Sequence, residues 1–144
     1  MATQMKFTDI TVEELHPLAQ DRKENGWRYV QTQCTKADDD SITYMVTFNK
    51  DGLLDNYCIK GVTKDVTIPS ISDLYFSAFV FENESHDLFG VQISDIVIDF
   101  GGKFYDLAIS EPMSVITPAQ KAAREKAAKL AAAKAAKEAQ GEGE

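Results

Sequence analysis

The chain has 144 residues, of which 23 are acidic, 15 are basic and 44% are hydrophobic, and its net charge at neutral pH is −8. This length suits one small domain with an appendage and excludes a large multidomain enzyme. The negative charge disfavours binding to the phosphate backbone of nucleic acids. No apolar stretch approaches the roughly 20 residues of a membrane-spanning helix, and no signal peptide is recognisable. We therefore expect a protein of the cytoplasm without a membrane span.

The charge is distributed unevenly along the chain. Residues 1–117 hold 19 acidic and 9 basic side chains, whereas residues 118–144 hold 4 acidic and 6 basic ones. The change in composition falls at Thr117-Pro118. The sequence therefore predicts a folded domain over residues 1–117 and an Ala/Lys-rich tail over residues 118–144.

A first helix is predicted near the N-terminus. Thr11 and Glu14 have the spacing of a capping box, in which each side chain satisfies a backbone amide of the other residue. Gly26 is a suitable helix stop. Pro17 lacks an amide and interrupts the pattern, so we expect this helix to kink or restart there.

Alternating apolar residues predict a sheet in the next part of the chain. In residues 42–48, isoleucine, tyrosine, valine and phenylalanine occupy every second position, with threonine or methionine between them, which is the period of a half-buried strand. The turn residues from Asn49 to Gly52 follow and predict an antiparallel connection to the next strand. We predict strands over residues 27–34, 42–48, 54–62 and 66–68.

A second helix is predicted over residues 71–86, with Ser70 and Asp73 at its start and its end before Gly90. Its apolar residues cover most of its circumference, which one sheet cannot bury. Either the rest of the domain or a separate protein covers the second face, since large exposed apolar patches mark interaction sites. The candidate interface residues on this helix are Phe76, Phe79 and Val80.

A hairpin and a terminal helix complete the prediction. Residues 96–100 read as a strand, Gly101-Gly102 as a turn and residues 104–109 as the returning strand. This order of elements predicts an α+β, two-layer domain in which an antiparallel or mixed sheet packs with two helices. The alanine-rich residues 118–140 predict a C-terminal helical arm, which the domain does not need in order to fold because Leu130 is its only large apolar side chain.

The densest polar cluster runs from Glu82 to Asp87. With His86, the acidic residues of this cluster have the composition of a general acid–base site, because crowded carboxylates raise one another's pKa. Glu82 and His86 share one helix face, as two ligands of a metal site would, but no third ligand accompanies them at helical spacing. The structural alternative is that the acids at this helix end bind cations, either Arg22 and Arg28 of the same chain or those of a neighbouring subunit. We favour this alternative, and we expect no catalytic, cofactor-binding or metal-binding residue in the chain.

The two cysteines do not indicate a metal site. Cys34 and Cys58 lie 24 residues apart, and neither belongs to a CxxC motif. Free cysteines are among the most buried residues in proteins. We therefore predict two buried, reduced thiols.

The residues around this cluster resemble a known family. Ile68-Pro69-Ser70-Ile71, followed by the segment from Phe81 to Val91, resembles the signature of the 30-kDa subunit family of respiratory NADH dehydrogenase. In that signature Glu-Arg-Glu is followed, after two residues, by Asp-Leu-Phe-Gly. Asn83 departs from the usual arginine, and the resemblance covers about residues 8–112. The matching positions, which it marks as family motif and subunit interface, are Glu82, Glu84, Asp87, Leu88, Phe89 and Gly90.

The segment from Ile96 to Gly102 is more similar to the corresponding subunit of energy-converting, membrane-bound NiFe hydrogenases of the Ech type. This resemblance implies a cofactor-free structural subunit, peripheral on the cytoplasmic face of the cell membrane. Its implied partners are the NiFe large subunit, the iron–sulfur small subunit, and ferredoxin-like and membrane subunits of the same complex. The NiFe centre and the iron–sulfur clusters would lie in these partners.

The complex implied by this resemblance couples redox chemistry of ferredoxin and hydrogen to ion translocation. Two alternatives remain open at the level of the sequence. The chain is the corresponding scaffold subunit of an NADH:quinone oxidoreductase, or it is a small stand-alone enzyme that uses Glu82, Glu84 and Asp87 for acid–base chemistry.

Overall fold

A computed structural model describes residues 4–114, 122–123, 125–127 and 129–133. The chain divides into two compact units, residues 1–114 and residues 115–144. In the second unit, the described residues are helical and Leu130 is exposed. The predicted domain boundary at Thr117-Pro118 and the predicted end of the arm near residue 140 lie outside the described residues and stay predictions. Among the described residues, no helix has the length and apolar character to cross a membrane.

The first unit contains a four-stranded mixed sheet and two helices. The strands lie in the order β1-β4-β3-β2, with β1 parallel to β4 and the other neighbours antiparallel. A second, two-stranded parallel sheet pairs β5 with β6. In chain order the elements are β1 (Gln4–Asp9), α1 (Val12–Glu24), β2 (Arg28–Lys36), β3 (Ile42–Lys50), β4 (Leu53–Val62), β5 (Thr67–Pro69), α2 (Ala78–Phe89) and β6 (Gln92–Ser94). The predicted α+β class and mixed sheet are confirmed.

One hydrophobic core lies between the sheet and the helices. Tyr44, Val46 and Phe48 alternate along β3 and are fully buried, because side chains two residues apart share one face of a strand. Leu15 of α1 and Ala78 of α2 belong to the same buried cluster. Both helices therefore cover the same face of the sheet, which gives the predicted two layers.

Helix α1 follows its predicted signals at both ends. The Thr11 amide donates to Glu14 Oε2 at 2.7 Å, and Gly26 follows the helix with a positive φ of 75°. Of the two effects expected of Pro17, a restart is excluded, because α1 runs through this residue without interruption, and a kink stays a prediction. Proline removes one backbone hydrogen bond, whereas the burial of Leu15 and Ala19 on either side holds the turn against the core.

The four predicted strands are present, with ends that differ by a few residues. The sequence pattern missed β1, whose residues are mostly exposed and therefore carry little apolar periodicity. Two other predictions are wrong. The helix begins at Ala78 rather than at residue 71, and residues 71–77 form successive turns. Residues 96–100 and 104–109 are not strands but parts of an irregular loop.

We predict that Phe48→Ala lowers the free energy of unfolding by about 3–5 kcal/mol. Phe48 is fully buried, and its ring packs against the rings of Tyr29, Tyr57 and Tyr75. The matched control is Phe7→Ala on β1, because Phe7 is 62% exposed and its loss should change stability by less than about 0.5 kcal/mol. Urea unfolding followed by circular dichroism measures both. Equal effects of the two substitutions would contradict this placement of the core.

Candidate functional site

The residues of α2 that are fully buried are mostly polar. Glu82 and Asn83 have 0% and 1% of their surface exposed, and Ser85 and Asp87 have 3% and 4%. A buried polar group destabilises a protein unless it forms hydrogen bonds. The partners of these side chains therefore show what α2 does in the fold.

Glu82 holds the turn that precedes α2. Its Oε1 accepts from the Ile71 amide at 2.8 Å, and its Oε2 accepts from the Ser70 hydroxyl at 2.7 Å. Burial raises the pKa of Glu82, while the hydrogen bonds from Ser70, Ile71 and Ser72 act in the opposite direction. Because these bonds tie the helix to residues 70–72, the chain turns at the positions where a continuous helix was predicted.

The same network continues to the loop after β6. The Ser70 and Ser72 hydroxyl oxygens lie 2.6 Å apart, and the Ser72 amide donates to Ser70 Oγ at 3.0 Å. The Val97 amide donates to Ser72 Oγ at 2.9 Å. The chain of bonds from Glu82 to Val97 therefore satisfies polar groups of three separate segments.

Asn83 also binds the backbone of this loop. Asn83 Nδ2 donates to the carbonyl of Ile98 at 2.8 Å, and its Oδ1 accepts from the Phe100 amide at 3.0 Å. A second bond from Nδ2 reaches the carbonyl of Phe79 within α2 at 2.7 Å. Because a side chain now satisfies these backbone groups, residues 96–100 need no partner strand.

Asp87 fixes the loop further along. Its Oδ2 accepts from the Tyr105 amide at 2.9 Å, and its Oδ1 lies 3.1 Å from His86 Nδ1. Met113 then returns to α2, where its amide donates to the carbonyl of Leu88 at 2.9 Å. Residues 95–114 are thus an ordered loop attached to α2 at several points.

Gly90 ends α2 in the left-handed conformation, with a φ of 72°. A side chain at this position would collide with the carboxylate of Glu111, which lies about 2.5 Å from where a Cβ would stand. Lys64 Nζ holds that carboxylate at 2.8 Å. Gly90 is therefore required both by its backbone conformation and by the return of the loop.

More than half of the chain matches a known protein family. Residues 8–96 match the family model described as respiratory-chain NADH dehydrogenase, 30 Kd subunit. The match covers more than half of the chain and includes the segment from Glu82 to Gly90. The chain belongs to this family. The predicted family resemblance is confirmed.

A solved structure supports the fold of this family member. A chain from the structure of the membrane-bound sulfane sulfur reductase, an archaeal respiratory membrane complex, aligns with a TM-score of 0.58. The sequence identity is 15%, and the alignment covers 80% of this chain and 69% of the other. Among curated proteins, none matches the chain significantly. The structural likeness establishes a shared fold.

The two arginines of the same chain that were proposed as partners of the motif carboxylates do not pair with them. Arg22 Nη2 lies 3.5 Å from Asp55 Oδ2 and donates to the Tyr57 hydroxyl, whereas Arg28 begins β2. Within the described part of the chain, no ion pair joins either arginine to Glu82 or to the other motif acids. Backbone amides and the Ser70 hydroxyl bind Glu82 and Asp87 instead, and pairing of the motif acids with cations of a neighbouring subunit stays a prediction.

The remaining predicted site residues lie around this buried network. Glu84, Leu88 and Phe89 are half-buried. Desolvation and the negative charge of Glu84 raise the pKa of Tyr105. Of the candidate interface residues, Phe76 is 58% exposed, while Phe79 and Val80 are half-buried; the rings of Phe76 and Phe79 lie 5.0 Å apart.

An open cavity of about 370 Å³ lies between the end of α2 and the loop. His86 and Asp87 line it together with Lys103, Tyr105 and other loop residues. One oxygen of Asp87 contacts the His86 ring and the other accepts from the Tyr105 amide. Asp87 therefore orients the His86 ring and the backbone at Tyr105. In the ranges that the structure describes, no three His, Cys, Asp or Glu side chains are grouped as metal ligands.

The cysteines are free, as predicted, but the prediction that both are buried is confirmed for Cys58 and wrong for Cys34. Cys58 is buried and Cys34 is half-buried. Burial raises the pKa of the Cys34 thiol to about 11, against the opposing effect of a hydrogen bond with Ser85. Cys34 is therefore a neutral thiol at physiological pH and a poor nucleophile.

Sequence reasoning missed the roles of Ser72 and Asn83. The sequence predicts Ser70 as a helix cap, but its hydroxyl donates to Glu82, twelve residues later. Asn83 stood out only as a departure from the family signature. The one local signal was the presence of several small polar residues among apolar ones, which is consistent with buried hydrogen bonding.

We predict that Glu82→Ala lowers the free energy of unfolding by about 1–3 kcal/mol for each donor left without a partner. Glu82→Gln keeps the size and one acceptor oxygen, so its effect at neutral pH should be smaller. Urea unfolding at a series of pH values measures both variants.

The raised pKa of Glu82 determines the direction in which the stability of the fold changes with pH. Because the folded pKa of Glu82 is raised, the stability that protonation provides is complete below the unfolded pKa of about 4.3 and is lost as pH rises through the folded pKa. The wild type should therefore lose stability relative to Glu82→Gln over that interval. A difference between them that does not change with pH would contradict the buried position of the carboxylate.

Proposed function

We propose that the chain is a cofactor-free structural subunit in the peripheral, cytoplasmic arm of a membrane-bound NiFe hydrogenase complex. In this proposal the complex couples redox chemistry of ferredoxin and hydrogen to ion translocation. The chain positions its partners and carries out no electron transfer. Family membership and the fold shared with a chain of a respiratory membrane complex support the assignment to a multisubunit redox enzyme.

One observation carries the structural role. The acids that were candidates for catalysis are used to hold the chain's own backbone: Glu82 binds the Ile71 amide, and Asp87 binds the Tyr105 amide. Glu82 has no exposed surface, so it cannot contact a substrate without opening the fold. This use of the motif disfavours the alternative of a small stand-alone acid–base enzyme.

The hydrogenase assignment rests on the segment after the motif. Residues 96–102 contain the sequence Ile-Val-Ile-Asp-Phe-Gly-Gly, which resembles the hydrogenase subunits more than the quinone-reducing ones. In this assignment the partners are the NiFe large subunit, the iron–sulfur small subunit, and ferredoxin-like and membrane subunits. These partners would hold the NiFe centre and the iron–sulfur clusters.

A second candidate is the corresponding subunit of an NADH:quinone oxidoreductase. The matching family model favours this candidate, because its description names a subunit of NADH dehydrogenase. The two candidates share the same structural role and differ in the complex that the chain joins. Direct identification of the partners separates them.

We further propose that Phe76, Phe79 and Val80 contact a partner subunit. Phe76 is 58% exposed, directly before α2, and its ring packs against Phe79. Aromatic residues are enriched in protein interfaces because each removes a large apolar area from water.

The composition of the native complex tests the proposal. The tagged chain should be isolated from gently solubilised membranes, with subunits identified by mass spectrometry and nickel measured by elemental analysis. We expect a NiFe large subunit, stoichiometric nickel and hydrogen-dependent dye reduction. A complex that contains NADH dehydrogenase subunits and no nickel would support the second candidate. A chain that elutes alone, from membranes in which candidate partners are present, would contradict both.

We predict that Phe76→Ser reduces the amount of partner recovered with the chain by about tenfold or more, because aromatic anchors dominate many interfaces. Phe7→Ser on β1 is the matched control, since Phe7 is similarly exposed at 62%. Both variants should keep the wild-type thermal midpoint. Equal recovery with the two variants would mean that Phe76 is not at the interface.

A further inference from the structure

Buried side chains of the domain hold the backbone of the loop from Asp95 to Asp106. The Val97 amide, the Ile98 carbonyl and the Phe100 amide bind Ser72 and Asn83 side chains. Tyr105 is fixed by Asp87. The backbone of this loop is therefore ordered by buried side chains, although it contains no regular secondary structure.

Its apolar side chains remain largely uncovered. Val97 is 51% exposed, Ile98 40%, Phe100 42% and Tyr105 39%. Phe104 packs between the rings of Phe100 and Tyr105, at centroid distances of 5.1 and 5.0 Å. Exposed apolar side chains on a prearranged backbone bind partners well, because little conformational entropy is lost on binding.

The charges within the loop are mainly negative. Asp95, Asp99 and Asp106 are exposed, and Lys103 is the one basic residue between them. Two copies of this loop facing each other would bring like charges together, which costs several kcal/mol in interfaces. The net charge of −8 adds to that repulsion. The charge pattern therefore favours a basic partner over a second copy of the chain.

We propose that the loop from Asp95 to Asp106 docks a protein surface of another subunit that has an apolar centre and lysine or arginine residues at its rim. This inference rests on the proposed function and names the chemistry of one partner surface. The apolar side chains bury against the centre of that surface. The aspartates pair with its basic rim and set the orientation.

The first test compares matched variants of the loop in the full chain. Val97→Asp should lower recovery of the partner subunit about tenfold or more, whereas Val97→Thr, which keeps the shape, should lower it much less. Asp106→Lys should weaken assembly, and Asp38→Lys, at an exposed site in the loop between β2 and β3, should not. Near-ultraviolet circular dichroism confirms that each variant is folded. Wild-type recovery with both Val97→Asp and Asp106→Lys overturns the proposal.

The second test identifies the partner surface without a substitution. A carbodiimide joins a carboxylate directly to a lysine that contacts it, so the isolated complex should give cross-links from Asp95, Asp99 or Asp106 to a lysine of a different subunit. Cross-links between two copies of this chain overturn the proposal. So does equal labelling of these aspartates, by carbodiimide with a small amine, in the complex and in the free chain.

The two proposals fail in different ways. If the wild-type chain joins no complex, the proposed function is wrong. If the wild type joins a complex that the loop variants also join fully, the proposed function stands and the docking loop is wrong. The salt dependence adds a check: raising the salt from about 50 to 300 mM should weaken partner binding by the wild type more than by Asp106→Lys.

Discussion

The buried carboxylate of Glu82 constrains much of the first unit. A fully buried acid requires hydrogen-bond donors, and the chain supplies them from the turn before α2, at Ser70 and Ile71. Once Glu82 is bound there, the start of α2 is set. Ser72 and Asn83 are then in position to bind the loop that follows β6.

Helix α2 thus connects two parts of the molecule that differ in character. On one side it packs against β2 and joins the hydrophobic core through Ala78 and Phe81. On the other, its polar side chains hold residues 95–114 as an ordered loop. A layer of buried hydrogen bonds separates the core from a loop whose apolar side chains face solvent. This arrangement suits a subunit that presents a fixed surface to its partners.

The family motif has a physical explanation in this arrangement. Gly90 allows the left-handed turn and the close approach of Glu111, while Glu82 and Asp87 bind backbone amides on either side of α2. These residues therefore anchor α2 to the turn before it and to the loop after it.

The sequence by itself determined the α+β class, the two layers and the ends of α1. These features depend on local signals: the alternation along residues 42–48, the capping box at Thr11, and Gly26 and Gly90 as helix stops. The family was also recognisable, because its signature is a short contiguous run.

The tertiary structure alone decided where α2 begins, why residues 96–100 are not a strand, and which groups bind the carboxylates of the motif. Local apolar pattern favours a helix from residue 71 and a strand at residues 96–100, but the bonds from Glu82 to Ile71 and from Asn83 to Phe100 override both. Those bonds span 11 and 17 residues along the chain, so no local pattern reveals them. A buried polar side chain takes the donor that the fold brings to it, and that choice depends on the whole packing.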